Sequence, residues 1–230
     1  MVSTPEPTSS SAEAAPQLLA TWLGRMAFAE ALQLQLDIRE RVIVGDCLPT
    51  LLLVEHPPTL TKGRRGRDEH ILWSREQLAS HDVQLCDAPR GGELTLHAPG
   101  QLVVYPIVPV GRAIRAHVER MACVAIELVR ELGIVDAVYR RDHPGVWVGA
   151  QKLASVGVHI SRGVSVQGLA LNMDVDMRLF DALISCGLPG VKATSVVHLG
   201  GVAVPLRQAA VRYAQHYAQV LGCTLEWQAP

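Results

Sequence analysis

The sequence predicts an α+β fold, with mixed, largely antiparallel sheets flanked by helices, and three observations lead there. Apolar runs of strand length are interspersed with helix-length stretches in no regular βαβ order, which argues against a doubly wound sheet. Residues 114–132 carry one continuous helical stripe of Val118, Met121, Ala122, Ala125, Leu128, Val129 and Leu132. Residues 152–172 alternate around Ser161-Arg162-Gly163, the pattern of a β-hairpin with a three-residue loop. The chain has 230 residues, 49% hydrophobic and 19% charged, a composition that supports a substantial globular core. No repeat or linker interrupts it after residue 16, so the expected organisation is a disordered leader over 1–16 and a single domain over 17–230.

Taken in order, residues 1–15 are mostly Ser, Thr, Pro, Ala and Glu, with little to bury and no arginine of a transit peptide. Residues 17–23 have strand-like spacing. Residues 25–42 suggest a helix on Met26, Ala29, Leu32 with Leu34, and Ile38. Residues 50–55 form a short apolar run that His56-Pro57-Pro58 closes, as expected of a buried strand. From Arg90 a glycine pair leads into alternation, with Leu94 and Leu96 on one face and Glu93, Thr95 and His97 on the other. Bare backbone beside a half-polar strand lets a ligand approach while Thr95 and His97 point at it; the alternative is a plain hairpin facing water. Ala98-Pro99-Gly100 then turns the chain into residues 101–107, apolar on both faces and so a central strand. Gly133 ends the long helix. Two short strands are expected around Asp142-His143-Pro144-Gly145, strands continue to Met173, and residues 205–221 form a closing helix with Pro205 in its first turn.

Composition excludes several function classes. A formal net charge of −1 gives no nucleic-acid footprint. The Lys62-Gly63-Arg64-Arg65-Gly66-Arg67 run reads either as a solvated loop or as a contact surface for an acidic partner. Cysteines stand singly at 47, 86, 123, 186 and 223, without the spacing of a disulfide framework or a zinc site. No signal peptide or membrane-length apolar run is present, so a reducing cytoplasm is the expected compartment and no membrane partner is expected.

The stretch from Gly149 to Gly190 carries the chemistry. Lys152 shares a strand face with Ala154, Val156, Val158 and Ile160, and a lysine on such a face seeks an anion. The hairpin register sets Lys152 near Asn172, from which Cys186 follows within fourteen residues. An ammonium beside Cys186 would lower its pKa and raise the fraction of nucleophilic thiolate. Gly187 leaves a backbone N–H able to face a developing oxyanion. Taken singly, most cysteines are buried small hydrophobes and most lysines are solvated, so the pair has weight only in combination.

Six segments in this order carry a resemblance: Leu53-Val-Glu-His-Pro-Pro58, Arg90-Gly-Gly-Glu-Leu-Thr-Leu-His-Ala-Pro-Gly-Gln101, Gly145-Val-Trp-Val-Gly149, Lys152-Leu-Ala-Ser-Val-Gly157, Gly168-Leu-Ala-Leu-Asn172 and Cys186-Gly187. They resemble the lipoyl (octanoyl) transferase family over roughly residues 17–200. The resemblance implies the α+β catalytic domain shared with biotin and lipoate protein ligases. It implies transfer of an octanoyl group from octanoyl-acyl carrier protein to a lysine of a lipoyl domain, in 2-oxoacid dehydrogenase complexes or the glycine cleavage H protein. In that pattern Cys186 is the acyl-thioester nucleophile and Lys152 lowers its pKa. Arg90, Gly91, Gly92, Glu93, Leu94, Thr95, Leu96 and His97, with Ser155, Val156 and Gly157 and with Gly168, Leu169 and Ala170, line the acyl and pantetheine pocket. Two positions depart from the pattern: Ala98 stands where the family has glycine, and Gln167 where it has histidine. Ala98 narrows the backbone choices of its turn, and Gln167 removes a titratable group.

Thioester exchange followed by amide formation runs without a nucleotide, so no cofactor and no metal are expected, and the enzyme is expected to act as a monomer. Two alternatives remain: an ATP-dependent lipoate or biotin protein ligase, and a non-catalytic acyl-binding member of the fold. The sequence leaves open which of His56, His97 and His159 faces the site.

Overall fold

The computed structural model describes residues 15–184 and 190–229. Its elements in order are β1 (Gln17–Arg25), α1 (Phe28–Val44), β2 (Thr50–Glu55), β3 (Thr59–Lys62), α2 (Arg75–Ser80), β4 (Gln84–Asp87), β5 (Leu94–His97) and β6 (Gln101–Ile107). There follow α3 (Ile114–Glu131), β7 (Val138–Arg140), β8 (Gly145–Val148), β9 (Gln151–Ser161), β10 (Val164–Asn172), α4 (Leu206–Leu221) and β11 (Thr224–Gln228), with single 3-10 segments at Asp68–His70 and Met177–Ala182. An eight-stranded sheet in the order β11-β1-β2-β6-β10-β9-β8-β7 stands beside a three-stranded one, β4-β3-β5. Among the described residues only the strand pairs β1–β11, β1–β2 and β3–β4 are parallel, so the mixed, largely antiparallel α+β expectation holds. No helix among the described residues is long and apolar enough to cross a membrane.

The central strands are apolar on both faces because each face has its own helical cover. Leu51 and Leu53 of β2, Leu102 and Val104 of β6, and Leu169 and Leu171 of β10 pack with α3 and α4 in one core that includes Met121, Leu128, Tyr213 and Tyr217. Their neighbours Leu52, Val54, Val103, Tyr105, Ile107 and Ala170 belong to a second core with Ala31 and Val42 of α1. The small sheet builds a third core from Leu60, Leu78, Val83, Leu94 and Leu96.

Three local expectations change. Helix α1 buries Phe28, Ala31, Gln35 and Val42 most deeply; of the expected stripe, Met26, Leu34 and Ile38 pack half-buried against the same core and Ala29 is exposed. A buried glutamine on the core face hid the true period, because Gln35 is there to hydrogen-bond: its Nε2 donates to Ala31 O at 3.0 Å and its Oε1 accepts from Gln167 N at 2.7 Å. The β9–β10 hairpin closes through the two residues Arg162 and Gly163, at φ +46° and +82°, with Ser161 paired to Val164. Two successive left-handed residues match the twist of the flanking strands, so the loop is one residue shorter than expected. The register moves with it, and Ala154 faces Leu171.

The turn at Ala98 is unharmed by its methyl group. Gln101 N donates to Ala98 O at 3.2 Å, and the positive φ of +83° falls on Gly100, where a Cβ would lie 1.9 Å from Asp174 O. Proline and then left-handed glycine at the two central positions is the type II pattern, and Ala98 occupies the position that tolerates any residue. The expected leader falls on residues 1–16, of which 1–14 lie outside the described residues.

Candidate active site

A cavity of about 260 Å³ opens where β9 meets the segment that precedes β5. Its lining includes Arg90, Gly91, Gly92, Glu93, Leu94 and Thr95 on one side and Lys152, Ser155, Val156, Gly157 and Val158 on the other. Arg65, Val118, Asp142, His143 and Pro144 complete it. Leu94, Val118, Pro144, Val156 and Val158 give it apolar wall, and Arg65, Arg90, Glu93, Asp142, His143 and Lys152 give it charged and titratable groups. The two sides meet at glycines for a steric reason. Gly91 N donates to Val158 O at 3.1 Å, and a Cβ on Gly157 would lie 3.0 Å from Arg90 Cδ.

Arg90 is the brace of this wall. It is buried, with Nη1 donating to Glu93 O at 2.9 Å and Nη2 donating to Thr61 O at 2.9 Å and Thr61 Oγ1 at 2.7 Å. A guanidinium committed to carbonyls in this way fixes the glycine loop against β3.

Lys152 sits at the start of β9 with 5% of its surface exposed. Its backbone is held on both sides, since Lys152 N donates to Lys192 O at 2.9 Å and Thr194 N donates to Lys152 O at 2.9 Å. The backbone that resumes at residue 190 therefore runs back alongside Lys152, in a parallel bridge at Ala193. Gly145 makes room for the lysine stem, since a Cβ there would meet Lys152 Cε at 2.7 Å. The Nζ lies 5.4 Å from the centroid of the Trp147 ring, within cation–π distance. Cys186 and Gly187 lie outside the described residues.

A second, smaller cavity of about 20 Å³ adjoins the first and shares Arg90, Thr95, Ser155 and Gly157 with it. Gly168, Leu169, Ala170, His97, Tyr105, Val103 and Gln167 supply the rest. Gly157 and Gly168 face each other across the β9–β10 ladder, and a Cβ on Gly168 would fall 2.1 Å from Val104 O. Gln167 precedes it at φ +61°, buried, with its backbone N–H taken by Gln35. A left-handed glutamine costs on the order of 1–2 kcal/mol, and the bond to Gln35 helps hold it there.

The cavity's polar end is organised by a series of hydrogen bonds. Asn172 Nδ2 donates to Thr194 O at 2.8 Å, and Gln101 Nε2 donates to Asn172 Oδ1 at 2.9 Å and to Leu96 O at 3.1 Å. Gln101 Oε1 is left to accept from His97 Nδ1 at 2.8 Å. That assignment makes His97 Nε2 an acceptor, and it has no hydrogen-bond partner among the described residues, nor has Gln167 Nε2. Burial first, then His56 and Arg90, push the His97 pKa well below the usual histidine value, while the bond to Gln101 opposes them. Behind it His56 Nδ1 donates to Met26 O at 2.7 Å and Nε2 accepts from Tyr105 Oη at 2.9 Å; burial lowers its pKa to about 4. His97 thus faces the site, His56 supports Tyr105, and His159 lies outside both cavities beside Arg64.

Of the described residues that the resemblance assigns to the catalytic pair and the pocket, Leu96 alone lines neither cavity: it packs into the core of the small sheet with Leu60 and Leu94. Cys186 lies outside the described residues, and all the others border one cavity or both. Sequence reasoning missed Val103 and Tyr105, although their alternation with Leu102 and Val104 marked a distinct face of β6. It also read Asp142-His143-Pro144 as a turn only, and no periodicity marks it as a cavity wall.

Comparison with known proteins agrees with this geometry. The family model for the lipoyl protein ligase A/B catalytic domain matches residues 27–218. The octanoyltransferase of Alkaliphilus metalliredigens is 37% identical over 201 residues, covering 86% of this chain and 92% of the relative. That of Maridesulfovibrio salexigens is 34% identical over 201 residues, covering 86% and 94%. Among solved structures, the bi-partite lipoate protein ligase of Thermoplasma acidophilum superposes with a TM-score of 0.72 at 15% identity, over 95% of this chain and 88% of that one, a likeness of fold. By sequence and by catalytic-domain match, the chain belongs to the octanoyltransferase family.

Proposed function

We propose that Cys186 and Lys152 transfer an octanoyl group from octanoyl-acyl carrier protein to a lysine of a lipoyl domain, in two half-reactions at one site. Membership of the octanoyltransferase family supplies the reaction, and the placement of Lys152 carries the mechanism. A buried lysine at the wall of the cavity, with residues 192–194 that follow Cys186 drawn along its backbone, is where an ammonium would stabilise a thiolate.

In the first half-reaction the Cys186 thiolate attacks the thioester carbonyl, the carrier sulfur leaves, and the Lys152 ammonium gives it a proton. The acyl-enzyme then carries a neutral sulfur beside a neutral amine. In the second, the amine of the acceptor lysine attacks that carbonyl and loses its proton to Lys152, and Cys186 departs as thiolate. Atoms and charge return to the start, and no nucleotide is consumed. Burial raises the pKa of Cys86, Cys123 and Cys223, and neighbouring carboxylates raise it further at the first two, so these three thiols hold less of the nucleophilic thiolate than an ordinary cysteine.

In the same reading, Arg90 and the glycines at 91 and 92 brace the wall, with Glu93, Leu94 and Thr95 beside them. Ser155, Val156 and Gly157, and Gly168, Leu169 and Ala170, shape the slot for the acyl tail, and His97 bounds its polar end. A single catalytic domain from residue 17, working as a monomer in a reducing cytoplasm, belongs to the same proposal. The test is transfer from octanoyl-carrier to a lipoyl domain without ATP. We expect turnover by the wild type and loss of at least about a thousandfold in Cys186→Ala. ATP-dependent transfer that survives Cys186→Ala would contradict the mechanism and favour a ligase.

A further inference from the structure

The basic run after β3 forms part of the rim of the larger cavity, and its charges are unequally neutralised. Lys62 pairs with Asp68 at 2.6 Å and Arg67 with Glu69 at 3.1 Å. Arg64 and Arg65 are exposed, and among the described residues no carboxylate lies within ion-pair distance of either. Arg64 Nη2 donates instead to His159 Nδ1 at 3.2 Å. Burial, then the Arg64 and Arg39 cations, lower the pKa of that ring, so it accepts as a neutral base and leaves the guanidinium charge uncompensated. Arg39 and Arg162 add positive charge nearby, sharing Glu40 between them.

The backbone that carries these arginines is fixed to the cavity wall. Gly63 N donates to Glu93 O at 3.1 Å, Arg64 N to Arg90 O at 3.1 Å and Arg65 N to Gly92 O at 3.0 Å. The approach needs glycine at 63, where a Cβ would stand 2.6 Å from Gly92 O and 2.7 Å from Arg90 Nη1. The same residues that line the cavity thus hold the backbone of both arginines, with the unneutralised Arg65 at its mouth and the unneutralised Arg64 next to it beside His159. Exposed charge held in place at a cleft steers oppositely charged partners and sets their register.

We propose that Arg64 and Arg65 form the docking surface for an acidic face of the carrier protein that delivers the thioester. This rests on the transferase reading above. Charge favours the donor, whose arm joins its carrier through a phosphodiester anion that the two guanidinium groups attract.

The test compares octanoyl-carrier protein with octanoyl-pantetheine, which lacks both phosphate and protein, in the wild type and in Arg64→Glu. The expected result is a carrier KM raised about tenfold in the variant, with octanoyl-pantetheine and acceptor kinetics within about twofold of wild type. Rising salt should raise the carrier KM of the wild type and leave that of Arg64→Glu nearly flat, and Arg65→Gln should raise the carrier KM as well. An unchanged carrier KM, a KM effect on the acceptor instead, or equal losses with both donors would overturn the proposal. Absence of transfer from either donor by the wild type would overturn the transferase reading itself, and the docking proposal with it.

Discussion

Lys152 is held at three places while bordering the cavity: its backbone by Lys192 and Thr194, its stem by Gly145, and its Nζ beside the Trp147 ring. A cation so placed has little freedom to leave, and the proposed thiolate gains a fixed counter-charge. In Lys152→Met, alkylation of Cys186 followed against pH should show a midpoint shifted upward toward the ordinary thiol value of about 8.5, with a rate at pH 7 lower by about tenfold. An unshifted profile would remove Lys152 from that role. Gly168 makes a sharper steric case, because any Cβ there collides with the Val104 carbonyl across the sheet. Gly168→Ala should lower the unfolding free energy in urea by about 2–4 kcal/mol, the scale of overpacking plus a disturbed ladder.

Whether an element was legible depended on its length and on what it buried. Helix α3 announced itself because Met121, Ala125, Leu128 and Val129 repeat over 18 residues, and β6 because it is buried on both faces. Strands β3 and β4, at four residues each, and β11, with its largely exposed side chains, have no comparable signal. Their places come from pairing with partners far away in sequence, β3 with β5 and β11 with β1. The glycine loop and the alternation of Thr95 with His97 did identify a cavity wall. Which histidine faced it was not readable, because that depends on Gln101 and Tyr105 capturing particular ring nitrogens. The α3–α4 seam can be probed directly: Tyr213 Oη donates to Met121 O at 3.0 Å, and both residues are fully buried. Met121→Ala should cost about 2–5 kcal/mol in chemical denaturation, with the family fold retained.

For the whole molecule, the buried histidines set the acid limit. Burial lowers the pKa of His56 and of His117 to about 4, with Arg120 adding to the effect at His117. Both are depressed from the unfolded value of about 6.5, so the unfolded state takes up protons first as pH falls. Stability is therefore full above about pH 6.5, is lost between there and about pH 4, and changes no further through these groups below that. Each contributes up to about 3 kcal/mol to that loss. Thermal melts between pH 7 and 4 should fall steeply, and His117→Leu should flatten the fall; an equally steep fall in that variant would show that His117 plays no part.

The most direct measurement is the intact mass of the folded protein after brief incubation with octanoyl-carrier protein and no acceptor, followed by peptide mapping. One octanoyl group, on Cys186 and released when a lipoyl domain is added, is the expected result. A folded protein that transfers the octanoyl group yet never carries it on Cys186 would contradict the account.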